Sequence, residues 1–242
     1  MNKFLKGLSW VLISSLITIS TWSCGSIIKI IAGIPNLNVY SQEEIYNNIN
    51  SLPKEDNVID VQPITNLSSK DILFFTLISV PNETFIYNGN NALLCYNGET
   101  SCTIEELNEI NDSAIDENYE ECSASIDLAS DTYKYMGDFN KLLDYISFPS
   151  SVNFDSYRHK IVVFMNTDIG KDEIHEDWNF IYRSLNHNPD VVFIRVWTDL
   201  NEEWGLKHNA KVKTKVTKVK GSKGEYFMQL SKLPYKENNK KQ

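Results

Sequence analysis

The chain contains few cysteines, and no two of them stand in the C-x-x-C spacing. Its 242 residues include 4 Cys, and the two that are nearest in the sequence, Cys95 and Cys102, are seven positions apart. Dithiol oxidoreductases and cysteine zinc knuckles both depend on closely spaced cysteine pairs. The sequence therefore argues against both classes.

Motifs for catalysis and for cofactor binding are also lacking. His175 and Glu176 are not followed by the second histidine that a zinc-protease helix requires. The chain has no internal repeat and only 10 Gly and 7 Pro, and 42% of its residues are hydrophobic, which is typical of a globular protein. We assign no catalytic residue and expect no cofactor, so a non-enzymatic role is favoured over an enzymatic one.

The N-terminus has the order of an export signal. Lys3 and Lys6 precede an uncharged apolar run from Leu8 to Trp22, and small residues surround Cys24 in the Ser23-Cys24-Gly25-Ser26 segment that follows. A basic start, an apolar core and a small-residue exit are recognised by export machinery. We predict that residues 1–23 are a signal peptide and that the rest of the chain works outside the cytoplasm.

This segment resembles the signal of bacterial lipoproteins, in which small residues precede a cysteine that becomes lipidated. The resemblance covers about 25 residues and does not extend to the folded part. It implies that Cys24 carries acyl chains such as palmitate, which would hold the protein on the cell membrane or outer membrane.

An uncleaved anchor is the alternative for the same segment. The run from Leu8 to Ile28 has 21 residues without a charge, close to the ~20 that a helix needs to cross the hydrocarbon core. Lys3 and Lys6 would then remain in the cytoplasm. Both alternatives place the residues after about position 35 on the far side of the membrane.

The cysteines of an exported protein invite a disulfide prediction. Cys95 and Cys102 flank Asn97-Gly98, the pair that a type I′ hairpin turn prefers, so we predict a bridge between them across a hairpin. Cys122 is then left over, as a buried free thiol or as a partner in an intermolecular bond.

The predicted organisation has a tether, two regions and a tail. The tether covers residues 24–40 and the tail covers residues 234–242. An α+β region at 41–150 and a second region at 151–233 are predicted to pack together as one domain.

Helix and strand signals alternate in the first region. Ser41 and Glu44 form a capping box that opens a short helix. Val58–Val61 and the apolar run Ile72–Val80 are predicted strands, and Asp127–Ile146 is predicted to be one helix because its apolar residues recur with a helical period.

The second region predicts a βαβ unit. Lys160–Met165 and Val191–Trp197 are continuous β-rich runs, and an amphipathic helix with Asp172 as its N-cap lies between them. Such a crossover makes the two strands parallel and the connection right-handed.

A lysine-rich strand at Ala210–Lys220 and a strand at Glu225–Leu230 then form an antiparallel hairpin. The predicted fold class is α+β, a mixed sheet with a βαβ unit and this C-terminal hairpin. A βαβ unit followed by a hairpin also resembles the second half of a thioredoxin-like fold, so an α/β thioredoxin-like topology without the redox motif is the alternative.

Carboxylates are predicted at one edge of the sheet. Asp168 follows the first strand of the βαβ unit, Asp199 follows the second, and His175 lies early in the helix. In open α/β sheets ligands bind beyond the carboxyl ends of parallel strands. These three residues could hold a divalent cation or form an acid/base pair. The structural alternative is that Asp168 and Asp172 cap a helix while Asp199 starts a turn.

Charge is distributed unevenly along the chain. Residues 207–242 carry 11 Lys+Arg and 2 Asp+Glu, whereas residues 1–206 carry 12 and 30. Lys211, Lys213 and Lys215 alternate with uncharged residues, so one strand face presents a row of ammonium groups. This row could bind an anionic surface or an acidic protein, or it could only protect an edge strand or face the protein's own acidic surface. Nucleic acid is not expected, because no aromatic residues interleave with the lysines.

These patterns predict a membrane-tethered cell-envelope or surface lipoprotein with a non-enzymatic binding or assembly role. The alternative is an extracytoplasmic enzyme or divalent-metal-binding domain that uses the carboxylates of the βαβ edge.

Overall fold

The computed structural model describes residues 36–52, 55–78, 84–96, 115, 119–122, 130–169, 171–218 and 226–237. All of them belong to one compact unit that extends from Pro35 to Gln242. Cys24, Cys102 and the Asn97-Gly98 turn lie outside the described residues, so lipidation at Cys24 and a hairpin turn at Asn97-Gly98 remain predictions.

The described part of the chain contains both helices and strands. The helices are α1 (Gln42–Asn50), α2 (Ser69–Ile78), α3 (Ser130–Met136), α4 (Phe139–Leu143) and α5 (Lys171–Leu185). The strands are β1 (Leu37–Tyr40), β2 (Val58–Pro63), β3 (Thr84–Asn88), β4 (Leu93–Tyr96), β5 (Tyr119–Glu121), β6 (Ile146–Ser147), β7 (His159–Met165), β8 (Val191–Trp197), β9 (Leu200–Asn201), β10 (Lys211–Val212), β11 (Thr214–Lys218) and β12 (Tyr226–Leu230). The predicted α+β class is confirmed. None of the helices within the described ranges has the length and apolar character needed to cross a membrane.

A seven-stranded mixed sheet forms the centre of the fold, with the strand order β5-β4-β3-β7-β8-β2-β6. β7, β8 and β2 are parallel to one another, while β3, β4 and β5 continue the sheet antiparallel on one side and β6 does so on the other. Every residue of β7 and β8 is buried, because helices cover both faces of the sheet.

The predicted βαβ unit is confirmed. β7 and β8 pair in parallel along their whole length, from His159 opposite Val191 to Met165 opposite Trp197, and α5 connects them. α5 begins at Lys171, so Asp172 is inside the first turn and is not the N-cap that the sequence predicted.

Apolar clusters fill both faces of the sheet. Phe75 of α2, Tyr135 of α3 and Phe139 of α4 pack with Phe164 and Val196 on one face. The cluster on the other face joins α5 to the same strands through Trp178, Ile181, Leu185, Ile161 and Phe193.

The predicted strand Ile72–Val80 is wrong, because α2 occupies Ser69–Ile78. Ser68 and Asp71 cap this helix reciprocally: the Ser68 hydroxyl accepts from the Asp71 amide at 3.3 Å, and the Ser68 amide donates to the Asp71 carboxylate at 3.2 Å. The helix carries apolar residues on all sides, so no helical period stands out in its sequence.

The predicted helix Asp127–Ile146 is also corrected, because it is broken before Asp138. Asp138 has extended backbone and caps α4 by accepting a hydrogen bond from the Asn140 amide at 2.7 Å. Ile146 belongs to β6, which pairs with β2. The apolar stripe nevertheless faces the core, since Tyr135, Phe139, Leu142 and Ile146 are buried.

A second, three-stranded sheet has the order β10-β1-β9. The predicted strand Ala210–Lys220 is divided at Lys213, where the backbone turns from β10 to β11 and exchanges hydrogen bonds with Ser231. β11 and β12 pair antiparallel, from Thr214 opposite Leu230 to Lys218 opposite Tyr226, which confirms the C-terminal hairpin.

The hairpin forms a sheet of its own, and the outer neighbour of β7 is β3. The thioredoxin-like alternative, in which the hairpin would extend the sheet of the βαβ unit, is therefore not followed within the described strands.

The structure contains a disulfide, but with a different pairing from the predicted one. Cys95 bonds to Cys122, with the two Cα atoms 5.0 Å apart, and not to Cys102. β4 and β5 are neighbours, and the Cys122 amide donates to the Leu93 carbonyl at 2.9 Å, which brings Cys122 beside Cys95. Cys122 is thus not the leftover thiol.

Candidate functional site

The carboxyl ends of the parallel strands form one polar edge of the central sheet, which we call the rim. It consists of Asn166, Thr167 and Asp168 after β7 and of Thr198 and Asp199 after β8. Internal hydrogen bonds fix the two segments together: Asn166 donates to the Thr198 carbonyl at 3.2 Å and accepts from the Asp168 amide at 3.0 Å. The sequence located the rim and its two aspartates correctly.

Asp168 ties the rim to β1. One carboxylate oxygen accepts from the Asn38 amide at 2.6 Å, and the other accepts from the Asn38 side chain at 2.9 Å and from the Tyr40 hydroxyl at 2.8 Å. Burial and the hydrogen bond to Asp168 raise the pKa of Tyr40 well above its usual range. Asp168 therefore holds β1 against the rim.

Asp199 is more deeply placed, with 2% of its surface exposed. Its Oδ1 accepts from the Thr167 amide at 2.8 Å, and its Oδ2 has no hydrogen-bond partner among the described residues. Burial raises the pKa of Asp199 to about 7 and the charge of Asp168 adds to this, while hydrogen bonds from Thr167 act in the opposite direction. The rim can therefore hold or release a proton near neutral pH.

His175 cannot be placed at this rim, because its side chain lies outside the described part of α5. Within the described ranges, no group of three or more histidine, cysteine, aspartate or glutamate side chains is arranged to hold a metal ion. The Tyr40 hydroxyl donates to Asp168, and Asp168 and Asp199 are close enough for the charge of one to act on the pKa of the other.

Sequence reasoning missed Asn38 and Tyr40. They occupy alternate positions of β1, where they are half-buried, while Leu37 and Val39 are buried in the small sheet. Their alternation was the available signal, but their partner Asp168 is about 130 residues away in the chain, so no local pattern could identify the contact.

Arg195 forms a second polar cluster that the sequence analysis did not identify. Its guanidinium donates to both oxygens of Asp60 at 2.7 Å and to Glu55 at 3.0 Å. Trp197 also donates to Asp60, at 2.8 Å, and Trp178 donates to Glu55 at 3.1 Å. Each member is hydrogen-bonded, so this cluster stabilises the fold and leaves no reactive group.

Lys160 is a buried cation at the opposite end of β7 from the rim. Its ammonium group donates to the Asn88 carbonyl at 3.1 Å and lies 5.6 Å from the centre of the Phe139 ring. Burial lowers the pKa of Lys160. These contacts account for its position by packing and hydrogen bonding.

The predicted row of lysines is partly visible. Lys211 and Lys213 are exposed and Val212 between them is buried, as the alternation predicted, whereas the side chain of Lys215 lies outside the described atoms. Further exposed lysines lie nearby in sequence, and they are Lys207, Lys232 and Lys236.

No family model, curated protein or solved structure matches the chain significantly.

Proposed function

We propose that the protein is exported and tethered to a membrane at Cys24, and that its folded part acts as a binding or assembly domain of the cell envelope or surface. The observation that carries this proposal is the Cys95–Cys122 disulfide. Structural disulfides persist in oxidising compartments and are rare in the cytosol of most organisms. The disulfide therefore supports the export that the N-terminal signal predicts from independent residues.

The described polar residues also support a binding role over catalysis. Asp168 is engaged with β1, and Arg195 is engaged with Asp60 and Glu55. These side chains hold secondary-structure elements together. The exposed lysines near β10 are therefore more accessible to a binding partner.

Lipid labelling of cells that express the full chain tests the tether. We expect an alkyne-bearing fatty acid to label the wild type and not to label Cys24→Ser. The variant should also either move from the membrane fraction to the soluble fraction or retain its signal peptide. Cys102→Ser is the matched control, because it removes a cysteine outside the Cys95–Cys122 disulfide and should leave labelling unchanged. Equal labelling of wild type and Cys24→Ser would refute lipidation at Cys24.

A second candidate function uses the rim as a divalent-cation or acid/base site. The specific observation in its favour is the unpartnered Oδ2 of Asp199 beside Asp168. If the rim binds such ions, Ca²⁺ or Mg²⁺ should raise the Tm of the wild type and not that of Asp199→Asn. Equal responses of the two proteins, or no response by either, would remove the cation function.

A further inference from the structure

Exposed lysines lie on two neighbouring chain segments beside the small sheet. We call this surface the basic strip and define it as Lys207, Lys211, Lys213, Lys232 and Lys236, all of which are exposed. Two chain segments carry them side by side, since the Lys207 amide donates to the Pro234 carbonyl and the Ser231 amide donates to the Lys213 carbonyl, both at 2.8 Å.

The basic strip lies beside β1, the first strand of the described chain. β1, the first described strand, pairs antiparallel with β10, so that Leu37 is opposite Val212 and Asn38 is opposite Lys211. Because the strands are antiparallel, Asn36, the first described residue, lies toward the Lys213 end of β10. Lys211 and Lys213 are therefore close in register to the start of the described chain.

The chain between Cys24 and the start of β1 is short. Cys24 precedes Leu37 by 13 positions, and a chain of that length spans at most ~45 Å when fully extended. A domain held so close meets the membrane surface at a high effective concentration. The lysines need only approach within about one Debye length, ~8–10 Å, to interact with charged headgroups.

We propose that the basic strip contacts the anionic lipid headgroups of the membrane that carries the anchor, and that it thereby orients the domain with β10 toward the bilayer. This inference rests on the tether proposed above. Lysines held close to a membrane are attracted to anionic headgroups, and this attraction falls off within about one Debye length. Since acyl chains already retain the protein, the strip contributes orientation and not attachment.

Edge-strand protection explains only a small part of this surface. Lys211 lies in β10, but Lys207, Lys213, Lys232 and Lys236 lie outside the strands. Self-neutralisation is also partial: Lys236 is 3.9 Å from Glu202, and it is the one member of the strip with a described ion pair. Within the described part of the chain, the other four lysines of the strip have no ion-pair partner.

The test measures how fast each lysine is acetylated in the full chain, purified from its membrane and reconstituted into vesicles. Phosphatidylcholine vesicles are compared with vesicles that also contain phosphatidylglycerol, at low and at high salt. We expect Lys211, Lys213 and Lys232 to react several-fold more slowly in the anionic vesicles at low salt, and high salt to remove the difference. Lys141 of α4 is exposed and serves as the internal reference, with an unchanged rate.

A matched pair of variants separates the strip from general charge. Lys211→Gln with Lys213→Gln should abolish the protection of Lys232, whereas Lys141→Gln should leave it intact. Equal lysine rates in neutral and anionic vesicles, with the protein still bound to both, would overturn the orientation while leaving the tether. Protection that requires an added acidic protein would assign the strip to a protein partner instead. Loss of the wild type from the vesicles in alkaline carbonate would instead count against the tether.

Discussion

Asp199 is a buried carboxyl group whose ionised form destabilises the fold. An ionised carboxylate that is buried with one unpartnered oxygen destabilises the native state, and this is why its pKa rises to about 7 from an ordinary value of 3.8. The native state consequently binds this proton more tightly than the unfolded state does. The contribution of Asp199 to stability therefore improves as the pH falls from about 7 toward 4, and its cost is complete above pH 7.

Asp199→Asn should thus raise the free energy of unfolding more at pH 8 than at pH 5, by about 2–3 kcal/mol. Urea unfolding at the two pH values measures this difference. Asp190→Asn, at an exposed aspartate, is the control and should show the same effect at both pH values. A pH-independent effect of Asp199→Asn would show that the side chain is not titrating in this range.

Arg195 illustrates the opposite case, a buried charge with a complete set of partners. Its replacement by Met leaves Asp60 and Glu55 without their cation, so we expect a loss of about 3 kcal/mol in the free energy of unfolding. Arg183→Met, at an exposed position of α5, should change it by less than about 0.5 kcal/mol. Similar losses for the two variants would mean that the cluster is not a source of stability.

At the scale of the single residue, the sequence predicted where the carboxylates lie but not what they contact. Asp168 and Asp199 follow recognisable strands, so their shared edge could be inferred from the βαβ pattern. The roles of Tyr40 and Asn38 could not be inferred, because these residues of β1 contact Asp168, which is about 130 positions away in the sequence.

The Cys95–Cys122 disulfide joins β4 to the residue that follows β5, and it closes a loop with a sequence separation of 27. Reduction should lower the free energy of unfolding by about 3 kcal/mol, because the open chain gains conformational freedom when it unfolds. Denaturation with and without reductant measures the loss. A peptide map under non-reducing conditions checks the pairing, and a Cys95–Cys102 peptide would contradict it.

The predictions of helices were wrong where the apolar residues showed no helical period or where a capping residue lay within the predicted helix. α2 is buried on several sides, so its apolar run resembled a buried strand, although Ser68 and Asp71 carry the capping pattern that marks its start. The apolar stripe of Asp127–Ile146 continues past Asp138 in the sequence. However, Asp138 has an extended backbone and caps a new helix, so the predicted helix is interrupted there. Local capping chemistry decided both cases.

At the scale of the whole molecule, the βαβ unit and the C-terminal hairpin could be predicted because each is built from neighbouring segments. The position of β2 next to β8 and of β3 next to β7 could not, since these pairings join distant parts of the chain. The division of charge was evident in the sequence. That part of the basic segment lies beside β1 emerged only from the register of β1 and β10.

The intact mass and N-terminal peptide of the protein, recovered from its native membrane, test the tethered export most directly. We expect a chain that begins at Cys24 and carries added acyl mass. A chain that begins at Met1 without acyl mass would contradict the lipid anchor and make the protein a single-pass membrane protein.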